Sequence, residues 1–193
     1  MSRVSQAQAE ENRRRVVDTA SRLFREQGTH VSVADLMKAA GLTHGGFYKQ
    51  FASKEALVDE ATAHAFDERA RRYAVELQRY DGRRDAAQRT LIDAYLSVEH
   101  RDDAADGCPV AALAVDVARG GEDREARRVY TQGVVDFAAF LASVGDEEGD
   151  AGGDGTARLC TLFGALVLSR ATKGSPLSEE ILAAAHAALT EAG

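Results

Sequence analysis

Apolar positions recur at three- and four-residue spacing along most of the chain, and that period predicts helices. Val16, Ala20, Leu23, Phe24 and Gln27 mark a first helix over about 8–27, ended by Gly28, with residues 1–8 as a disordered arm. Residues 32–51 then read as two short helices around a tight turn. Ser32 is placed to N-cap the first, and Asp35, at the third helical position, suits a capping box. Val33, Leu36, Met37 and Ala40 share its inner face. Gly41 stops it, because the turn needs a residue that tolerates positive φ. Thr43 is a second N-cap, and Phe47 and Phe51, four apart, point inward. A long helix over 53–80 follows, capped by Ser53 with Glu55 at its positive end. Leu57, Ala61, Ala65, Phe66, Ala70, Tyr73 and Leu77 form its apolar stripe, and Asp81-Gly82 breaks the chain.

Ala87, Leu91, Ala94, Tyr95 and Val98 predict the next helix, and 100–107 reads as a polar, acidic loop. Pro109 opens a short apolar helix over 109–119, closed by Gly120-Gly121. A helix over 122–144 carries Val129, Tyr130, Gly133, Val134, Phe137, Phe140, Leu141 and Val144. Residues 145–155, with five Gly and five acids, give no folding signal and read as a flexible loop. The last two helices span about 156–173 and 178–191. The first carries Leu159, Leu162, Phe163, Leu166, Val167 and Leu168, with Cys160 in the same apolar stripe, and is apolar over more than half its circumference.

The outward face of 43–49 is left with Thr43, His44, Gly45, Tyr48 and Lys49. Small residues, hydroxyls, an imidazole and one cation suit a backbone pressed against DNA. Two sets of residues, Thr19-Ala20-x-x-Leu23-Phe24-x-x-x-Gly28 and Ala40-Gly41-Leu42-Thr43-x-Gly45-x-Phe47-Tyr48-x-x-Phe51-x-x-Lys54-Glu55-x-Leu57, resemble the N-terminal region of TetR-family transcriptional regulators. The likeness covers about residues 9–60. Met37 departs from the small Ala usual there, and Gln50 from the usual His.

The resemblance implies an all-α fold. An N-terminal three-helix DNA-binding domain with a helix-turn-helix (9–54) would precede a larger helical ligand-binding and dimerisation domain (55–193). It implies a homodimeric repressor that holds a palindromic operator and releases it on binding a small-molecule inducer, the 53–80 helix acting as lever. Ser32, Thr43, His44, Gly45, Gly46, Tyr48 and Lys49 are the expected DNA contacts, and Lys54, at a helix N-terminus, the expected phosphate contact. The last two helices would form a four-helix bundle with a second copy, through Leu159, Phe163, Leu166, Val167, Ile181 and Leu182.

Charge sharpens this picture. The chain carries −7 overall, but residues 1–54 hold 9 Lys+Arg and 5 Asp+Glu, or +4, leaving −11 on 55–193. Such a field turns the N-terminal end toward phosphates. Arg13, Arg14 and Arg15 read as a solvated face paired with Glu10 and Glu11, rather than as a phosphate-binding arm. The absence of a signal peptide and of an apolar stretch of 18 residues predicts a cytoplasmic protein with no membrane partner.

No nucleophile elbow, zinc-binding His pair or phosphate loop occurs, so no catalytic residue, metal or cofactor is expected. This weighs against an enzyme or a ligand-storage module. The candidate pocket residues are Tyr73, Tyr95, Tyr130, Phe137 and Cys108, which suit a small, largely apolar inducer oriented by a hydroxyl or two. Cys108, at a helix N-terminus that favours thiolate, offers the alternative of an electrophile or oxidant sensor, with Lys173 as a candidate cationic neighbour. Activation in place of repression is the other alternative.

Overall fold

The computed structural model describes residues 6–80, 83–122, 124–144 and 155–191, and every regular element among them is a helix. Asp81-Gly82 and the glycine-rich 145–154 lie outside the described residues. The elements are α1 (Gln6–Gln27), α2 (Val33–Ala39), a 3₁₀ turn (His44–Lys49), α3 (Lys54–Arg79), α4 (Arg84–Tyr95) and α5 (Val98–Asp102). They continue with α6 (Pro109–Arg119), α7 (Glu125–Ser143), α8 (Gly155–Ala171) and α9 (Leu177–Thr190). No helix among the described residues is long and apolar enough to cross a membrane.

Local signals account for most boundaries. Ser32 Oγ accepts the Asp35 N–H at 3.1 Å, which caps α2, and donates to the Asp35 carboxylate at 2.6 Å, so the reciprocal backbone bond of a capping box is replaced by a side-chain one. Gly41 takes φ +70°, the left-handed turn that the α2 exit requires. Ser53 Oγ accepts from Ala56 N–H at 3.1 Å and starts α3. Pro109 opens α6.

Three readings of the pattern are corrected. The expected loop over 100–107 begins as helix: α5 is capped by Ser97, whose Oγ accepts the His100 N–H at 3.1 Å. Its stability is tertiary, since buried Arg101 donates to Ser178 Oγ at 2.9 Å, so no apolar period announces it. Val98 begins α5 and is 40% exposed instead of ending the stripe of α4. Ala70 and Cys160, both read into apolar stripes, face outward.

Two apolar clusters result. The first joins α1, α2, the 3₁₀ turn and the start of α3 through Val16, Phe24, Leu36, Met37, Phe47 and Leu57, and Leu113 of α6 reaches into it. The second packs α4, α6, α7, α8 and α9 around Ile92, Tyr95, Leu141, Leu162 and Leu166. α3 runs from one to the other. Its crossing with α7 is close because Gly133 faces Phe66, where an added Cβ would clash with the ring.

Candidate functional site

The 3₁₀ turn is held from below and open above. Phe47 and Phe51 stack at 5.4 Å, both buried. Arg13 lies over the Phe51 ring at 4.6 Å and donates two hydrogen bonds to Glu60 of α3. This corrects its expected pairing with Glu10 and Glu11, although Arg14 does pair with Glu11. The anchored aromatics fix the turn, and Thr43, His44, Gly45, Tyr48 and Lys49 stand on its exposed side. Tyr48 is 68% exposed and meets the His44 ring edge-on at 6.5 Å. Thr43 has the extended backbone of an N-cap, yet its hydroxyl makes no capping bond. Ser32 is also exposed, but its hydroxyl is engaged with Asp35. Gly46 is half-buried over Met37, and Lys54 is half-buried at the start of α3.

Gly45 needs no positive φ, and a Cβ built on it would meet nothing within 4 Å. Nothing in the chain's own packing or backbone demands glycine there. A backbone bared beside hydroxyls, an imidazole and Lys49 fits a phosphate-lined groove.

The body offers a different kind of site. Cavities of 570 Å³ and 470 Å³ lie on α3, and Arg69, Tyr73 and Phe140 line both. Of the expected pocket residues, Tyr73 stacks on Phe137 and Phe140 at 5.0 and 4.6 Å, and Tyr95 tilts onto Phe137 at 6.1 Å. Cys108 is 1% exposed and lines the smaller cavity. Tyr130, expected in the pocket, lines neither of these cavities, because its hydroxyl is held by the Val110 carbonyl at 2.8 Å. Burial pushes Tyr130 up to about 12 and Tyr73 and Tyr95 well above the ordinary value, so all three stay protonated. Lys173 pairs with Asp102 at 3.0 Å.

The pattern alone missed two groups. Arg69 and His100 face the larger cavity, and Arg69 was detectable as a cation four residues from both Ala65 and Tyr73 on the apolar stripe of α3. The second group joins the module to the body. Arg25, 5% exposed, donates to the Gly107 carbonyl at 3.2 Å and to Glu68 at 3.1 Å. Arg22 pairs with Asp106, Asp116 accepts the Thr29 N–H at 2.7 Å, and Arg124 donates to Asp59 at 3.0 Å. These pairings join distant parts of the chain, and neither partner alone shows them.

The expected dimer residues divide. Leu159, Leu166 and Leu182 are buried in the chain's own core, at 4%, 0% and 4% exposure, and so cannot supply an outer face. A helix apolar on most sides gave no means of telling its inner stripe from its outer one. Phe163 and Ile181 are half-buried against that core. Val167 is open, beside exposed Cys160, Leu168 and Ala171.

Residues 16–61, the helix pair with its turn and the start of α3, match the sequence model of "Bacterial regulatory proteins, tetR family". That stretch is a TetR-family DNA-binding module. It is 39% identical over 61 residues to the HTH-type transcriptional regulator AcrR of Shigella flexneri, a match spanning 31% of this chain and 28% of that protein. The fold resembles a TetR transcriptional regulator from Chloroflexus aurantiacus, at 26% identity and TM-score 0.77, over 95% of this chain and 94% of that one. It also resembles AibR in complex with isovaleryl coenzyme A and operator DNA, at 17% identity and TM-score 0.61, over 92% and 97%. The TetR-family fold therefore covers the described body as well as the matched module.

Proposed function

We propose that the protein is a homodimeric, ligand-responsive repressor that binds a palindromic DNA operator. The observation that carries this is the open 3₁₀ face, where Gly45 has no role inside the chain. Thr43, His44, Gly45, Gly46, Tyr48 and Lys49 enter the major groove, while Ser32 and Lys54 meet phosphates. The AibR complex, with operator DNA and an acyl thioester bound to the same fold, supports both partners.

The functional division falls near residue 54, and α3 serves both sides of it. Leu57 and Ala61 complete the module, and the Arg69–Tyr73 end lines the cavities. A molecule entering the body pushes on α3 and on the start of α6. Arg25 is tied to both, through Glu68 and Gly107, and Thr29 is tied to α6 through Asp116. The displacement therefore reaches the reading turn, and its spacing from the turn of a second subunit changes. That subunit docks on the outer face of α8, where Gly164, with no neighbour within 4 Å of an added Cβ, lies near Val167 and Leu168.

The test is a mobility-shift and footprinting experiment on the DNA flanking the protein's own gene. A protected, near-palindromic site is expected, with binding that weakens steeply as salt rises. Lys54→Ala should weaken all sequences alike, whereas His44→Ala should also change sequence preference. Failure to bind any double-stranded DNA at low salt would overturn the proposal.

A further inference from the structure

The wall between the two body cavities holds a cation that no carboxylate neutralises. Arg69 Nε donates to the Tyr73 hydroxyl at 2.7 Å, and its guanidinium sits 4.7 Å from the centre of that ring. Among the described residues it has no ion-pair partner. The acids beside it are taken: Glu68 by Arg25 and Arg72, Glu76 by Arg79. Around the 570 Å³ cavity stand four guanidinium groups, Arg69, Arg71, Arg72 and Arg79, against two carboxylates, Glu68 and Glu76. The local balance is positive in a chain whose net charge is −7. A half-buried cation facing an apolar space is unfavourable until an anion joins it.

Two more polar atoms in this wall lack partners, the Tyr95 hydroxyl and His100 Nε2, both buried. His100 Nδ1 lies 2.7 Å from the Tyr95 carbonyl oxygen, which only accepts, so the proton sits on Nδ1. Nε2 is then a buried acceptor awaiting a donor. The Tyr95 hydroxyl has only the Cys108 thiol beside it, a weak hydrogen-bonding partner, and so can turn its proton to a stronger acceptor. Between these groups the lining is apolar, with Ala87, Leu91, Ala94 and Phe140.

We propose that this cavity binds an organic monocarboxylate with a compact apolar body and a hydroxyl group, anchored by Arg69. The carboxylate takes the Arg69 guanidinium in a charge-assisted pair, and the Tyr95 hydroxyl donates to it as well. The apolar body fills the space along Leu91, Ala94 and Phe140. The ligand hydroxyl donates to His100 Nε2. A phosphate, with its higher charge, would find one half-buried guanidinium, Arg69, since Arg72 and Arg79 are paired with carboxylates and Arg71 is exposed. The cavity volume is within the usual range for a small-molecule site, about 300–1,000 Å³. This assignment rests on the proposed role of the body as the effector-binding part, and it names the effector's chemistry.

The experiment is calorimetric titration and thermal unfolding of the full chain with 4-hydroxybenzoate, with neutral 4-hydroxybenzamide and inorganic phosphate as controls. Saturable binding of the acid at millimolar concentration is expected, with the amide about tenfold weaker and phosphate silent. Arg69→Met should abolish the preference for acid over amide, Arg69→Lys should keep part of it, and Tyr95→Phe should weaken the acid alone. Unliganded Arg69→Met should melt no lower than the parent, because it removes an unmatched cation; that shows the loss is not one of folding. Equal binding of acid and amide, retention of the preference in Arg69→Met, phosphate binding as well as the acid, or no binding of the acid would each overturn the proposal. The regulatory reading fails separately. If the acid binds through Arg69 but leaves operator DNA bound, the ligand assignment stands and the ligand-responsive repressor does not.

Discussion

The N-terminal module and the helical body fill their interiors differently. In the module, Phe24, Leu36, Met37 and Phe47 are each at or below 1% exposure and close on one another. In the body, Tyr73, Phe137 and Phe140 stack just as closely, but cavities of 570 and 470 Å³ remain beside them. Both regions hold buried polar atoms without partners, Ser21 Oγ and Gln50 Oε1 in the module and the Tyr95 hydroxyl and His100 Nε2 in the body, but only the latter two belong to residues that line the 570 Å³ cavity. A reading face must hold a backbone in one position, so packing density serves it. A cavity that is to accept and sense a molecule must keep space and unmatched polar groups, at a cost in stability.

That contrast is broken most directly by truncating one aromatic on each side. Phe47→Ala should cost about 3–5 kcal/mol, the range for a fully buried Phe. Phe140→Ala, in a wall that already borders open space, should cost about 1–2 kcal/mol because fewer contacts are lost. Urea unfolding of the two variants measures the difference. Equal costs would mean that the body is as tightly packed as the module.

The next prediction separates the inner and outer faces of α8. Leu166→Arg buries an unpaired charge in the body's core and should unfold it. Leu168→Arg, at a residue 56% exposed, should leave the subunit's helicity unchanged but weaken self-association about a hundredfold or more. Sedimentation across a concentration series checks this. A variant that stays dimeric removes the outer face of α8 from the interface.

How much of this was legible in the sequence depended on where each signal lay. α6 could be read to the residue because Pro109 and Gly120 mark its ends locally. The reading turn was legible for the same reason: Gly41 and the Phe47–Phe51 pair are signals within a dozen residues. α5 was hidden, since a five-residue helix is held by Ser97 and by Arg101 on Ser178, 77 residues away. Arg69 was overlooked because a period search counts apolar positions and passes over the one charge among them. The inner and outer stripes of α8 could not be told apart, because Leu166 and Leu168 have the same chemistry and differ only in what covers them.

A smaller effect tests the unmatched imidazole. Burial lowers His100 to about 4 from an ordinary 6.5, against the helping bond to the Tyr95 carbonyl. Below pH 6.5 the unfolded chain takes up a proton that the folded chain refuses, so stability should fall with pH until the folded imidazole also titrates near 4. The loss across that window is on the order of 2–3 kcal/mol. His100→Gln should flatten this part of the pH profile relative to the parent. A parent and variant with parallel profiles would show that His100 is not held neutral.

The smallest effect on folding is expected at Gly45, where stability and binding should move in opposite directions. An added methyl meets nothing within 4 Å and the backbone is not left-handed, so Gly45→Ala should leave the fold intact. It should even gain about 0.5 kcal/mol, because the unfolded chain loses freedom. On DNA the same methyl stands where a backbone must approach the groove, beside Thr43 and Tyr48. Operator affinity should then fall about tenfold or more, while nonspecific, salt-sensitive binding through Lys49 and Lys54 persists. Chemical denaturation and operator titration on one preparation give both numbers. A loss of stability would mean that glycine serves the turn itself. Unchanged operator affinity with unchanged stability would place the reading contacts elsewhere on the module.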